Sequence, residues 1–510
     1  MPSSSIDLLA VYDFANSPTS FDFLSFLARA EIEKRQNGAN SISVLFVLNG
    51  KNSFWQSEGR TDTEHRKRLE NLLIPLCQIW EIKTEEKAHT RLDAQKIISN
   101  WRGPIFPHFY NIQMPPKDEY QWAHLVAEHC TGVSLPLWQS NKKSQQQIRN
   151  IIKPDSRTIA TITLRESSDG RKSNFVAWAQ LAKSLRSLGH RPIFLRDTDA
   201  MNIAPPPELA GEEFCNAASS DPILRGALYE FSNLCLMHSN GPMQMLWLGA
   251  KTRSMVFGIS NSDFTQGCAV PIRSMGLNIN SPLPMHMGRH KIIWEDDKPD
   301  VLQKHIQKIN RAISRRDLVL ENAVPERPLE IARRLRNTYR LPAAEKIYQY
   351  IRQGKGSDGP GGRAGLALSA AKNGSLSYLK RRILFIRHFF GFIHFSQGEV
   401  SGEAASELAL AYRIAGMRSR SEIFAAKCVE SPDSSLEAKA QALSVLSANK
   451  LDTKNYRIAE KLLNDACELA PFEVSYPIAL AALYSKQGQK NQYLKWIKIV
   501  RSLDPSLKLT

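Results

Sequence analysis

The stretch Leu234–Gly258, LCLMHSNGPMQMLWLGAKTRSMVFG, constrains this chain more than any other. It reads as a short apolar strand (Leu234–Met237), a polar turn (His238-Ser239-Asn240-Gly241-Pro242), a short apolar helix (Met243–Ala250) and a second strand (Ser254–Ile259). Gly241 allows a positive φ, and Pro242 pre-sets φ for a first helical turn. The turn then leaves unbonded N–H groups pointing out of the carboxyl edge of a sheet, where open α/β proteins receive phosphates. An ordinary strand–turn–helix crossover with no ligand has the same outline.

The rest of the chain gives that stretch room to be part of a sheet. Its 510 residues predict about three domains. With 42% apolar and 23% charged residues it has the composition of a soluble globular protein with ample core. The start, MPSSSIDLLAVYDF, has no basic region ahead of a long apolar run, so no signal peptide is expected. No apolar run reaches the roughly 18 residues of a membrane span. The cysteines at 77, 130, 215, 235, 268, 428 and 467 show no metal-ligand spacing, and reduced, mostly buried thiols in a cytoplasmic protein fit best. Of the net charge of +17, residues 301–400 alone carry +12, from 19 Lys/Arg against 7 Asp/Glu. The excess points to an anionic surface met in that region. No nucleic-acid-binding signature is present, and nucleic acid is not expected as a partner.

Residues 1–150 read as a first αβα domain. Ile6–Asp13 and Ser41–Leu48 are strands, Phe21–Arg35 and His65–Trp80 helices; Leu92–Asn100 and Glu119–His129 look helical, and Ile105–Ile112 extended. Strand, helix and strand in succession imply parallel pairing and a right-handed crossover. A polar helical connector, Pro136–Lys153, leads to a second and more regular αβα domain at 151–318. There Thr158–Arg165 is a strand, Asn174–Leu188 a helix, Arg191–Leu195 a strand and Asp221–Ser232 a helix; after the central stretch come strand Lys291–Trp294 and helix Pro299–Ser314.

The run SNGPMQMLWLGAKTRSMVFG resembles the signature of bacterial GT-B glycosyltransferases of the heptosyltransferase kind. In those a strand ends in a small polar turn, followed by Gly-Pro-Met, a short helix closed by Leu-Gly, and a strand ending in Phe-Gly. Gly241-Pro242-Met243, Leu248-Gly249 and Phe257-Gly258 fall in the matching places. The chain departs from the pattern at Ser239-Asn240, where the family has Asp-Ser, and at Gln244, where it has a diphosphate-contacting His. The resemblance implies two Rossmann-like domains facing each other across a cleft. It also implies a nucleotide-sugar donor as substrate and neither cofactor nor metal.

On that basis His238, Ser239, Asn240, Gly241, Pro242 and Met243 would hold the donor diphosphate. Arg165 and Arg171, with Asn174 capping the next helix, would collect around it, and Asp197 would touch the nucleoside. The TLR turn at Arg165 is also similar to the strand-end Arg of fucosyltransferase-like GT-B enzymes. The acceptor proton needs a base in the cleft, and Asp13 and Asp22 are the catalytic candidates. Each residue also has a plain reading: surface charge for the arginines, a turn former for Asp13, a helix-dipole acid for Asp22. The triplets Asp197-Thr198-Asp199 and Glu295-Asp296-Asp297 resemble metal-binding DxD motifs, but turn chemistry and N-terminal helix acids account for them equally.

Residues 319–510 read as all-helical. The segment GKGSDGPGGRAG (354–365) lacks a P-loop ending and is expected to be a loop. Pro471 and Pro505 lie one tetratricopeptide period apart, and the residues between them resemble one TPR unit, with looser copies before it. Tyr378–Phe395 combines four early basic residues with five Phe. It is expected to be the most buried helix of the stack or a hydrophobic seam, the other reading being a membrane-interface helix.

The expected molecule is thus α/β, two Rossmann-like domains in GT-B style followed by a TPR-like helical domain. It would transfer a sugar from a nucleotide-sugar to a glycan or lipid-linked acceptor, a cell-surface glycan precursor, and be cytoplasmic or peripheral at the inner membrane. A protein partner would meet the TPR-like region, and an anionic membrane surface the basic one. The competing readings are a non-catalytic TPR scaffold carrying a degenerate GT-B module, and a nucleotide-sugar epimerase.

Overall fold

Two short runs of wholly buried residues start the architecture: β1 (Leu8–Asp13) and β2 (Ile42–Val47) pair in parallel from Leu8↔Ile42 to Asp13↔Val47. The computed structural model describes residues 6–48, 54, 60–166, 172–200, 203–258, 269–283, 285, 288–322, 326–354, 357–393, 395, 399–505 and 507. Between these strands α1 (Phe23–Gln36) buries Phe23, Phe26 and Leu27. Next come α2 (Asp62–Arg68), a π-helical turn at Leu69–Leu73, α3 (Ile74–Ile79), β3 (Thr84–Ala88), α4 (Arg91–Asn100) and β4 (Ile105–Phe106). The sheet order is β3-β2-β1-β4, all parallel. The extended stretch expected at 105–112 is thus only two residues long. β3, TEEKA, has four exposed residues of five, so an edge strand carries no apolar alternation to announce it.

After α5 (Trp122–Cys130) and α6 (Lys142–Ile152) the second sheet forms from β5 (Thr158–Thr163), β6 (His190–Leu195), β7 (Leu234–His238), β8 (Ser254–Phe257) and β9 (His290–Ile292). Its order is β6-β5-β7-β8-β9, again all parallel. The helices in this stretch are α7 (Phe175–Ser187), α8 (Asn216–Ser220), α9 (Pro222–Phe231), α10 (Met243–Trp247), α11 (Ala269–Ser274) and α12 (Pro299–Ser314). Trp178, Leu181 and Leu185 of α7 share one core with Ile306, Ile309 and Ile313 of α12 and with β5 and β7. The order puts β7 at the centre, so the stretch Leu234–Gly258 is the middle of this sheet. Both sheets belong to one compact unit, 1–125, 134–261 and 285–323.

The second unit, 126–133, 262–284 and 324–510, is helical. It holds α13 (Pro328–Asn337), α14 (Leu341–Gln353), α15 (Gly359–Lys372), α16 (Tyr378–Phe389) and α17 (Gly402–Ile414). α18 (Arg418–Glu430), α19 (Leu436–Asp452), α20 (Tyr456–Leu469), α21 (Ser475–Lys486) and α22 (Lys490–Leu503) follow. The chain is therefore α/β with two parallel-sheet domains and a helical C-terminal region.

Two expectations for this region are corrected. The glycine-rich segment is not a loop from Gly359 onward but the first turns of α15. Its glycines permit close approach: a Cβ on Gly361 would stand 2.8 Å from Ala404, and one on Gly365 would overlap the Tyr348 ring. Packing overrides a poor helix propensity here. The second correction is α16, which is neither the most buried helix nor a closed seam. Phe385 is buried and Phe392 wholly so, yet Leu379 and Phe390 are 68% and 67% exposed.

Candidate functional site

Strand ends assemble the site. Arg165 leaves β5 and Ser239 leaves β7, and because these strands are neighbours their ends lie side by side. The Arg165 guanidinium donates to the Ser239 carbonyl at 2.6 Å. Its own backbone is pinned by Ser173, whose Oγ accepts from the Arg165 N–H at 2.8 Å and whose N–H donates to the Arg165 carbonyl at 2.9 Å. Asn174 caps α7 by accepting from the Ala177 N–H at 3.1 Å. Arg171 lies outside the described residues. Asn240 is buried; its Nδ2 donates to the Leu164 carbonyl at 3.1 Å, while its Oδ1 has no partner.

The turn also meets the first sheet. A Cβ on Gly241 would stand 3.0 Å from the Phe21 ring, so the glycine lets the turn pack tightly against the β1–α1 loop. Gln244 is buried; its Oε1 accepts from Ser25 Oγ at 2.7 Å, and its Nε2 donates to Asp22. Asp22 also accepts from Ser20 Oγ at 2.7 Å. Trp247 lies 5.4 Å from Trp122, and Trp138 donates to the Met245 carbonyl at 2.9 Å, so α10 is wedged between the two sheets' domains. Asp22, Arg165, Asn174 and Ser239–Met243 are accordingly gathered around one junction.

Asp13 has a different setting. Arg91 holds both its oxygens, at 2.6 and 3.0 Å, Tyr110 donates at 2.6 Å, and the Ala15 N–H at 3.0 Å. Burial and the adjacent Asp13 charge push the Tyr110 phenol well up. A carboxylate with four donors is built to fasten β1 to α4 and the 110–112 segment. Asp197 accepts from the Glu166 N–H at 2.6 Å, and burial raises its pKa. Glu166 in turn forms an ion pair with buried Arg196 at 2.6 Å.

His238 faces the carboxylates that precede α12. Its Nε2 faces Asp296 at 3.8 Å and Asp297 at 3.9 Å, and its Nδ1 has no partner. The neighbouring His238 imidazole holds Asp296 below the usual carboxylate range, whereas burial pushes Asp297 up. Asp297 Oδ2 accepts from the Asn174 N–H at 2.9 Å and from Trp178 at 2.6 Å. Among the described residues this trio offers three ligand atoms within 4.8 Å of one another, a donor set suited to a divalent cation. One Asp297 oxygen is already taken by the Asn174 N–H and the Trp178 indole, so the trio also explains itself as the brace between β7, α7 and α12.

Sequence reasoning missed Arg225. It is 1% exposed, donates to the carbonyls of Ala218, Ser219 and Arg196, leaves Nη1 without a partner, and lies 5.9 Å below the Phe21 ring. The signal was available: PILRGALYEF places an arginine in a mostly apolar helix whose one acid, Glu230, lies five residues on, and a buried cation is costly unless something uses it.

No known family profile matches the chain, and no curated protein does. Solved structures do. The ADP-heptose LPS heptosyltransferase II of E. coli aligns with 61% of this chain and 98% of its own, at 10% identity and a TM-score of 0.38. A glycosyl transferase family 9 protein from Veillonella parvula aligns with 61% of this chain and 90% of its own, at 10% identity and TM-score 0.33. The wall teichoic acid polymerase TagF aligns with 61% and 82%, at 9% identity and TM-score 0.25.

Proposed function

We propose that the chain is a glycosyltransferase that moves a sugar from a nucleotide-sugar donor to a glycan or lipid-linked acceptor, a cell-surface glycan precursor. The observation that carries this reading is the meeting of two carboxyl edges. Arg165 and the 239–243 turn, from one parallel sheet, stand against Asp22, from the loop that follows β1 of the other. In this reading Arg165 and the turn take the donor diphosphate, with Arg225 adding positive potential from beneath. Asp197 meets the nucleoside. Asp22, steered by Gln244 and Ser20, accepts the proton of the acceptor hydroxyl as the sugar transfers. The leaving nucleoside diphosphate gains negative charge, which Arg165 stabilises most in the transition state.

A second reading has its own support. Both candidate carboxylates have internal partners, and Phe21 lies against Gly241, the arrangement of a module that has become a scaffold. A thermal-shift screen of the full chain against UDP, GDP, ADP and CMP separates the two. A ligand that binds only the folded state raises its melting temperature. A rise with one nucleotide supports the transferase, and no rise with any assigns the scaffold.

A further inference from the structure

The helix α16 carries an apolar strip that faces out of the protein. Leu379, Ile383, Ile386 and Phe390 are 68%, 56%, 47% and 67% exposed, and their spacing stacks them on one helical face. Arg382 borders the strip on one side, and Lys380 and Arg387 on the other. The opposite face fixes the helix in place. Phe389 meets the Tyr412 ring of α17 at 5.9 Å, and Phe392 meets it at 5.7 Å. A groove of about 600 Å³ runs along this seam, its wall including Phe385, Phe389, Ile414 and Ala415 as well as Ile386 and Phe390 of the strip.

The charge around the strip has one sign. From Gly359 to Gly398 the sequence contains no Asp or Glu, while Arg363, Lys372, Lys380, Arg381, Arg382 and Arg387 are all basic. Among the described residues Lys380, Arg381, Arg382 and Arg387 form no ion pair; Arg382 instead leans over the Tyr378 ring at 5.6 Å. Leu379 and Ile383 project beyond the groove while Ile386 and Phe390 form its edge, so the complementary surface must cover projecting side chains and yield into a recess. It must also be apolar behind an anionic rim. An anionic lipid monolayer has both properties, with alkyl stems of Lys and Arg reaching along the strip to the headgroups.

We propose that α16 is an interfacial helix that lies in the plane of an anionic membrane, with Leu379, Ile383, Ile386 and Phe390 in the acyl boundary. This does not depend on the transferase reading, because nucleotide binding and lipid binding use different residues and separate assays. The full chain is sedimented with phosphatidylcholine vesicles and with vesicles containing about 30% phosphatidylglycerol, at low and at roughly physiological salt. Retention on the anionic vesicles should exceed that on neutral ones by about tenfold or more and fall with salt. Lys380→Glu/Arg382→Glu/Arg387→Glu should abolish it. Ile383→Ser/Phe390→Ser should lower it by about tenfold at either salt, because the lost contribution is apolar. These side chains are exposed, and unchanged melting curves will show both variants folded. Equal retention on both vesicle types, retention on neither, or an Ile383→Ser/Phe390→Ser variant that binds like the parent would overturn the proposal. So would capture of an acidic helical peptide without capture of vesicles.

Discussion

Two aspartates show how far a residue's neighbours decide its work. Asp13 is held by Arg91 on both oxygens and by Tyr110, so removing Arg91 leaves a buried, uncompensated charge. Arg91→Ala should cost about 3 kcal/mol of stability in urea unfolding, the low end for breaking a buried pair because Arg91 is partly exposed. Asp22 sits where the two sheets meet, and Asp22→Asn should lower sugar transfer by about 10²–10⁴-fold while nucleotide affinity stays within about twofold. Glu330 supplies a pH test. Burial, followed by the charges of Glu403 and Glu326, raises its pKa from 4.5 to about 7. The folded state then holds the proton more tightly than the unfolded one, so stability falls as pH rises from about 4.5 through 7. Glu330→Gln should flatten that part of the melting-temperature profile; an unchanged profile would remove Glu330 as its source.

At the scale of elements, apolar pattern governed what could be read in advance. The strands β1, β2, β5 and β7 are continuous buried runs, and α7 and α12 show their apolar faces plainly, so their positions follow from the residues alone. Gly and Pro located the turn 239–243, but Gly241 does not take a positive φ, and the Ser239 and Met243 N–H groups expected to be unbonded donate to the Phe257 and Asn240 carbonyls. The Gln244–Asp22 and Gly241–Phe21 contacts were not legible, because they join residues more than 200 positions apart and depend on how two sheets meet. α15 was misread because glycine was weighed by propensity, whereas here it serves close packing. Gly365→Ala should therefore destabilise the helical unit by about 1–3 kcal/mol, the cost of overpacking, despite alanine's better helix propensity. A stabilised variant in urea titration would mean the Tyr348 ring yields. α16 was misread in the opposite sense: Phe content suggested burial, but only one face of the helix is covered.

Over the whole molecule the basic excess divides into two kinds. Arg333, Arg334 and Arg336 of α13 are fully buried and are met by Glu403, Glu407, Glu326 and Glu437; Arg273 joins through Glu437 and Glu473. These arginines cement the helical unit, whereas the basic residues of α16 and α22 stand without an acidic residue in their own helices. No helix among the described residues is long and apolar enough to cross a membrane. In the proposed reading Arg165 and the 239–243 turn of the other unit would take a nucleoside diphosphate. Calorimetric titration of the full chain and of Arg165→Ala with the nucleotide that stabilises it most tests this directly. Loss of a hydrogen bond to a charged group should weaken binding by about 1.5–3 kcal/mol, a factor of roughly ten to a hundred, with the melting temperature of the free protein unchanged. Equal affinity in the two proteins, at equal stability, would contradict it.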